Sequence, residues 1–443
     1  MGQYQVGRLK VNHQPVFICG GRSAFVRSFG DLEDCDALEI LSRVTDGVLR
    51  KTRLDPHYID EYIAGTVIPQ TKNPNIARDT ILNLGLPSHI PGYTINRSCI
   101  SGLQSVLNGM ASISSGQARF VLAGGVESLS DIPVVYSKEA RKFLVKLAKS
   151  RSAAAKLNII KHFRAKAWLP RQPELTEPLT GLSMGLHGEL MAQKNQISRK
   201  DQDLYAVESH RRASNARKNG LFTEEIIPVW APPEFSQAIK DDNIIIDEPA
   251  LPDFKDQKPV FDKRYGTLTQ SNSSPLTDGA ATCLIADEAS ALEQGLSPSL
   301  RLLASDTVAV DPYDQLLIGP AMTIPRVLEK AGLSMQDIDR FEIHEAFSAQ
   351  ILSCLRSLES DAFFETHFGA SKAPGSPPMD KVNVNGGAIA LGHPFAATGV
   401  RMLLTLNHEL LRHDLRFGIV TICSAGGMAS SLLVGRYDQS GSD

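Results

Sequence analysis

IDEYIAG at 59–65 and IDRFEIH at 338–344 are two renderings of one phrase, 279 residues apart, each following a helical pattern and a Leu-containing turn. Farther along, RFVLAGG at 119–125 lies over RFGIVTICSAGG at 416–427 at an offset of 297, and the Pro/Gly-containing stretch 359–381 absorbs the difference. Two copies of one α/β unit explain both pairings; chance similarity between short β segments is the alternative. The surroundings carry matching punctuation. Short β-rich runs at 16–20, 62–68, 340–344, 417–423 and 430–436 alternate with helical patterns near 36–50, 75–84, 320–332, 346–358 and 394–412, and with one starting at about Ser98. That alternation predicts an α/β fold with a parallel sheet covered by helices.

Between the halves, residues 131–260 break the rhythm and read as an insertion. Within them, 138–171 hold eleven Lys or Arg and one acid, so this stretch is +10 while the rest of the chain is −13. The string FLVKLAKSRSAAAKLNIIKHF (143–163) mixes apolar and basic residues. It suits either a solvated helical face or a dock for anions such as an acidic partner or phospholipid head groups.

The 443 residues are 42% hydrophobic and 21% charged, with a formal charge of −3. This composition excludes disorder and collagen, and its balance gives no overall attraction to nucleic acid. The amino end shows no signal-peptide pattern and no apolar run approaches the ~20 residues of a membrane span, so a cytoplasmic location is expected. Six scattered cysteines without a CxxC pair fit neither a disulfide scaffold nor a zinc ribbon, and point to free thiols.

Nucleotide-hydrolysis, dinucleotide, zinc-protease and α/β-hydrolase motifs are all missing from the sequence. What remains is a set of thiols and imidazoles at predicted strand ends, where open α/β sheets place their sites. In NRSCISGLQSVLNGM (96–110), Ser98 is expected to cap a helix whose first turn carries Cys99, and the helix dipole would favour its thiolate. A buried structural role is the commoner fate of a lone cysteine. NVNGGAIALGHPFAATGVRM (383–402) is a Gly/Ala-rich turn entering a helix, with His393 and Pro394 at its start. EIHEAFSAQ (342–350) sets His344 at one strand end, and TICSAGGMASS (421–431) sets Cys423 at another.

Taken together, the chain resembles the thiolase family. Cys99 in N-x-x-C-x-S-G, His393 in N-x-N-G-G-A-x-A-x-G-H-P and Cys423 in C-x-x-G-G match that family's nucleophile, base and second cysteine in order. His344-Glu345-Ala346-Phe347 is similar to the form found in degradative enzymes related to the trifunctional-complex β subunit, where biosynthetic members usually carry Asn-Glu-Ala-Phe. The resemblance implies two βαβαβαββ halves with an inserted loop domain. It divides the chain into 1–130 (completed by 261–295), the insertion 131–260, and 296–443.

The resemblance further implies cleavage of 3-ketoacyl-CoA by CoA in fatty-acid β-oxidation. Cys99, His344, His393 and Cys423 would be catalytic. The backbone N–H groups of Cys99 and Ala425 would hold the oxyanion, and Met184, Phe261, Ser274 and Phe347 would line the coenzyme A channel. For Met184 and Phe261 a packing role in the core is a nearly matched alternative. Coenzyme A enters as co-substrate, with no metal and no permanently bound cofactor expected. A homodimer or tetramer and a hydratase/dehydrogenase partner subunit are further expectations, and the basic composition of 138–171 adds a peripheral membrane contact through that stretch. The rivals are a biosynthetic acetoacetyl-CoA-forming thiolase, a decarboxylating ketoacyl synthase, which should carry a His where Cys423 stands, and a non-catalytic lipid- or complex-binding thiolase-like subunit. Three departures stand out: Ala396 and Ala425 replace common glycines, and the acidic stretch 242–254 occupies the place where relatives often present an arginine to the nucleotide.

Overall fold

The computed structural model describes residues 4–6, 9–11, 13–161, 168–169, 176–249 and 251–438. Part of the basic stretch read as an anion dock, 162–167 and 170–171, lies outside the described residues. In chain order, the first half of the frame is β1 (Pro15–Arg22), α1 (Ala37–Thr52), β2 (Glu61–Gly65), α2 (Ile76–Asn83), β3 (Gly92–Ile95), α3 (Ser101–Ser114) and β4 (Phe120–Glu127), closed by β5 (Thr277–Asp287). Between β4 and β5 the chain leaves the sheet and forms α4 (Lys138–Lys149), α5 (Ala153–Lys161), α6 (Met184–Lys194) and α7 (Arg199–Lys218). The second half is β6 (Leu300–Ala309), α8 (Pro320–Ala331), β7 (Arg340–Ile343), α9 (Ser348–Leu358), α10 (Phe395–Arg412), β8 (Phe417–Ser424) and β9 (Met428–Arg436).

Local chemistry sets the boundaries. Asp36 and Glu39 form a reciprocal capping box that starts α1, the buried stripe Ile40, Leu41, Val44 and Val48 holds it on the sheet, and Arg53 in the left-handed region ends it. The βαβαβαββ order appears complete in the first half. In the second, the third strand is reduced to a single parallel bridge between Phe341 and Val382.

All these strands join one ten-stranded sheet in the order β7-β8-β9-β6-β1-β5-β4-β2-β3, with Val26–Arg27 paired to β5. Each half therefore repeats one order, β1-β5-β4-β2 and β6-β9-β8-β7, and the two meet at β1 and β6. The strand starts preserve both offsets read from the sequence: Glu61 and Arg340 are 279 apart, Phe120 and Phe417 are 297 apart.

The expectation of a parallel sheet needs correction, because only the β2/β3, β2/β4 and β7/β8 pairs are parallel and the rest are antiparallel. The strands read as continuous apolar runs because helices cover both faces. That burial is compatible with either strand direction. Helices α3 and α10 lie in the middle and contact strands of both halves, whereas α1 packs mainly on strands of the first and α8 on strands of the second. The result is five layers, and the central pair of helices shares a core built around Leu103, Val106, Val400 and Leu403.

No helix among the described residues is long and apolar enough to cross a membrane.

Candidate active site

Cys99 lies in the tight turn between β3 and α3. The turn is built differently from expectation: Ser98 does not cap the helix but adopts φ +47°. The Ser101 hydroxyl takes over, donating to the Ser98 carbonyl at 2.6 Å and accepting from the Arg97 N–H at 2.8 Å. Asn96 accepts from the Ser98 N–H at 3.1 Å and donates to the Val67 carbonyl. A left-handed serine held by Ser101 and Asn96 is a strained conformation that its surroundings impose, a pattern found where a side chain must be aimed.

The turn carrying His393 is pressed against this one. The Ala396 carbonyl sits between Gly102 of α3 and Gly125 of β4, and a Cβ at either glycine would overlap it. Small residues at 102 and 125 thus let the start of α10 approach the start of α3. Ala396 itself is fully buried. His393 Nδ1 pairs with the Thr398 hydroxyl at 2.7 Å, which leaves Nε2 for the site. Gly392, with φ +97°, lets the chain deliver the ring there.

From the second half, His344 arrives at the end of β7, its N–H bonded to the Thr421 carbonyl of β8. Its ring lies 4.3 Å, centroid to centroid, from that of His393. Its Nδ1 is 3.4 Å from the Cys423 sulfur. Its Nε2 is buried and has no hydrogen-bond partner among the described residues. Cys423 in turn feels the charge of Cys99. The Cys99 sulfur lies against the N–H groups of Ala425 and of Cys99 itself. Two thiols and two imidazoles, one thiol from the first half and the remaining groups from the second, occupy one cluster.

Burial dominates the electrostatics. It pushes the Cys99 thiol up to about 12, with the Glu127 carboxylate adding to the rise and the two N–H groups opposing it. The expected thiolate preference at the helix start is therefore overturned: desolvation outweighs the dipole. Burial, then the charges of Cys354 and Cys99, holds the Cys423 thiol well above its usual range. Burial and the Arg401 cation bring His393 down to about 3. Burial, then His393 and Arg401, keeps His344 well below its ordinary value. The resting site at neutral pH thus holds two protonated thiols and two neutral imidazoles.

Two family profiles match the chain: "Thiolase, N-terminal domain" over residues 16–289 and "Thiolase, C-terminal domain" over 296–436. The chain belongs to the thiolase family. It is 39% identical over 422 residues to a probable 3-ketoacyl-CoA thiolase of Caenorhabditis elegans, covering 95% of this chain and 94% of that one. It is 38% identical over 426 residues to the mitochondrial trifunctional enzyme subunit beta of Bos taurus, covering 95% of this chain and 88% of that one. The crystal structure of human mitochondrial 3-ketoacyl-CoA thiolase in complex with CoA superposes with a TM-score of 0.82 at 29% identity, over 96% of this chain and 98% of that one.

In this thiolase the four residues read as channel lining also gather. Phe261 meets the Phe347 ring edge-on at 5.7 Å and lies against Gly185, next to Met184 at the start of α6. Ser274 donates both its N–H and its hydroxyl to the Ala346 carbonyl at 3.0 Å. The adjoining Pro275 carbonyl accepts from the His393 N–H at 3.2 Å. This strip therefore joins the His-Glu-Ala-Phe turn to the His393 turn. Phe347 is buried, while Met184, Phe261 and Ser274 are half-buried.

Two carboxylates that the sequence reading left without a role organise the thiolase site. Glu345 accepts from Tyr205, Ser209, Asn383 and the Ile389 N–H, binding α7 and the 383–393 loop to the turn that holds His344. Glu127 accepts from the Val67 and Ile68 N–H groups and the Thr66 hydroxyl, and reaches the Ala396 N–H at 3.5 Å. Burial pushes Glu127 up to about 7 against those hydrogen bonds. The position of Glu127 at the carboxyl end of an apolar strand was the available signal.

Proposed function

We propose that this chain is a 3-ketoacyl-CoA thiolase of fatty-acid breakdown, in which CoA cleaves a 3-ketoacyl-CoA into acetyl-CoA and a shortened acyl-CoA through an acyl-cysteine on Cys99. The observation that carries this reading is the meeting of two protonated thiols with two neutral imidazoles in one cluster, buried except for the half-buried Cys99. His393 takes the Cys99 proton and the sulfur attacks the 3-keto carbon. The bond between the α and β carbons breaks, leaving an acyl thioester on Cys99 and the enolate of acetyl-CoA. Cys423 donates its proton to that enolate carbon. In the second half Cys423 accepts the proton of an incoming CoA thiol, whose sulfur attacks the acyl-cysteine; the shortened acyl-CoA leaves and the expelled Cys99 sulfur recovers its proton from His393.

The N–H groups of Cys99 and Ala425 hold the tetrahedral oxyanion, and the unpartnered Nε2 of His344 with His393 holds the thioester oxygen. Each such donor is worth about 3 kcal/mol in a dry site. Met184, Phe261, Ser274 and Phe347 form the wall along which coenzyme A enters as co-substrate. The domain division follows the same reading, with 1–130 and 261–295 as one half, 131–260 as the insertion and 296–443 as the other half.

The finer assignments of assembly belong to the same proposal: a homodimer or tetramer, a cytoplasmic location, and contact of α4 and α5 with a hydratase/dehydrogenase subunit or a membrane surface. Supporting the last, Leu144, Val145, Leu157 and Ile160 on those helices are exposed between lysines. CoA-dependent thiolysis assayed with acetoacetyl-, medium- and long-chain 3-ketoacyl-CoA tests the activity. Absence of turnover on all three would contradict it. Deleting 138–168 and finding liposome pelleting and partner co-purification unchanged would contradict both uses of the basic helices.

A further inference from the structure

The turn joining β8 to β9 contains Ala425, whose N–H faces the Cys99 sulfur. The turn has little stiffness of its own: Gly426 and Gly427 both lie at positive φ, +79° and +65°, where glycine peptide planes reorient at low cost. External partners hold it. The Gly427 carbonyl accepts from the Val310 N–H at 2.7 Å, and the Ser424 hydroxyl reaches the Ala425 carbonyl at 3.0 Å. The Ser424 hydroxyl also reaches the Arg97 carbonyl at 3.3 Å, and one bond crosses from the insertion: the Glu177 carboxylate accepts from the Gly426 N–H at 2.9 Å.

Glu177 is built to hold that bond. It is buried, 6% exposed, in a short hairpin closed by its own N–H to the Leu182 carbonyl at 2.9 Å and by the Gly181 N–H to its carbonyl at 2.8 Å. Thr176 bridges Ser183, and Thr180 pairs with His187 Nε2 at 2.8 Å, which fastens the hairpin to α6. A carboxylate accepting from a backbone N–H makes a stronger bond than a neutral acceptor or water. With the Gly426 N–H committed to Glu177 and the Ala425 carbonyl to Ser424, the N–H of Ala425 is the donor left for the sulfur.

We propose that Glu177 is a positioning residue that latches the insertion onto the 424–427 turn and so aims the Ala425 N–H at Cys99 and at the oxyanion formed there. This rests on the reading of Cys99 as nucleophile and Ala425 as oxyanion donor. It adds that the inserted segment completes the donor pair from outside the two halves.

The test compares wild type, Glu177→Ala, Glu177→Gln and Glu177→Asp in the full chain. The readouts are kcat and KM for thiolysis, the pH midpoint of Cys99 alkylation by iodoacetamide followed by peptide mass spectrometry, and Tm. Glu177→Ala should lower kcat about 10- to 100-fold with KM nearly unchanged, and should move the alkylation midpoint upward because the thiolate loses an aligned donor. Glu177→Gln keeps a carbonyl acceptor and should recover most of both. Glu177→Asp is too short to reach and should behave like the alanine variant, which covers the case in which Glu177→Ala does not fold. Wild-type kcat and midpoint in Glu177→Ala or Glu177→Asp, or Glu177→Gln impaired as much as Glu177→Asp, would overturn the latch. A wild-type protein that forms no acyl adduct on Cys99 with a 3-ketoacyl-CoA would overturn the underlying reading instead.

Discussion

His344 offers one ring nitrogen to a thiol and keeps the other in reserve: Nδ1 lies 3.4 Å from the Cys423 sulfur, while the buried Nε2 bonds to nothing among the described residues. A buried polar atom without a partner costs about 1–3 kcal/mol. The substrate's thioester oxygen would supply the missing partner. His344→Ala should therefore lower kcat by about 10²–10³, and His344→Asn, which restores an amide donor, should recover part of it. Steady-state thiolysis of acetoacetyl-CoA measures both. Equal rates for the two variants would separate Nε2 from the oxygen.

His393 depends on Thr398 for its orientation, through the 2.7 Å contact at Nδ1. Thr398→Val preserves shape and removes the hydroxyl. Losing one oriented hydrogen bond to a catalytic ring should reduce kcat/KM about tenfold, with Tm changed little. A stopped-flow record of acylation should show the deficit in the first half-reaction, where His393 takes the Cys99 proton.

Glu127 gives the protein a pH-dependent stability of definite sign. Burial raises its carboxyl from the ordinary 4.5 to about 7 in the fold. The folded state thus binds the extra proton between those values. Stability from this group is largest below the unfolded value, falls as pH rises through the folded value, and levels off above it. The drop is roughly 3 kcal/mol. Glu127→Gln should flatten the decline of Tm between pH 5 and 8 relative to wild type. Parallel Tm profiles for the two proteins would assign the titration elsewhere.

Gly102 tests the contact between the two turns. A methyl group there meets the Ala396 carbonyl, and such overpacking typically costs 1–3 kcal/mol or shifts backbone. Gly102→Ala should lower Tm and, because it pushes the His393 turn away from the Cys99 turn, should reduce kcat more than its Tm loss explains. Thermal denaturation and kinetics on one preparation decide this.

Much of this organisation was legible before any coordinates. The offsets of 279 and 297 reappear at the strand starts, because a repeated unit must place equivalent strands at equivalent positions in each half. That Cys99, His344, His393 and Cys423 would converge was legible because Gly-rich turns and strand ends gather side chains where a ligand can reach them. Strand direction was not, since the apolar run of β8 is the same whether its neighbour is β7, parallel, or β9, antiparallel. The Ser98 conformation was missed because a serine before a helix is usually a cap, and only the Ser101 hydroxyl in space displaces it. Glu127 had one signal, its place at the end of an apolar strand, whereas Glu177 sits in an irregular stretch where a carboxylate carries no sign of burial. Their partners, Ala396 and Gly426, lie 269 and 249 residues away. The thiolate expectation for Cys99 failed for the same reason: desolvation is a property of the assembled site.

The division of labour between the two thiols is tested most directly by intact-protein and peptide mass spectrometry after exposure to a 3-ketoacyl-CoA. Cys423→Ala should accumulate an acyl adduct on Cys99 while failing to exchange the carbon–carbon bond, and Cys99→Ser should show no adduct at all. Adducts on Cys423 in the Cys99→Ser protein, or equal residual activity in both variants, would contradict the account.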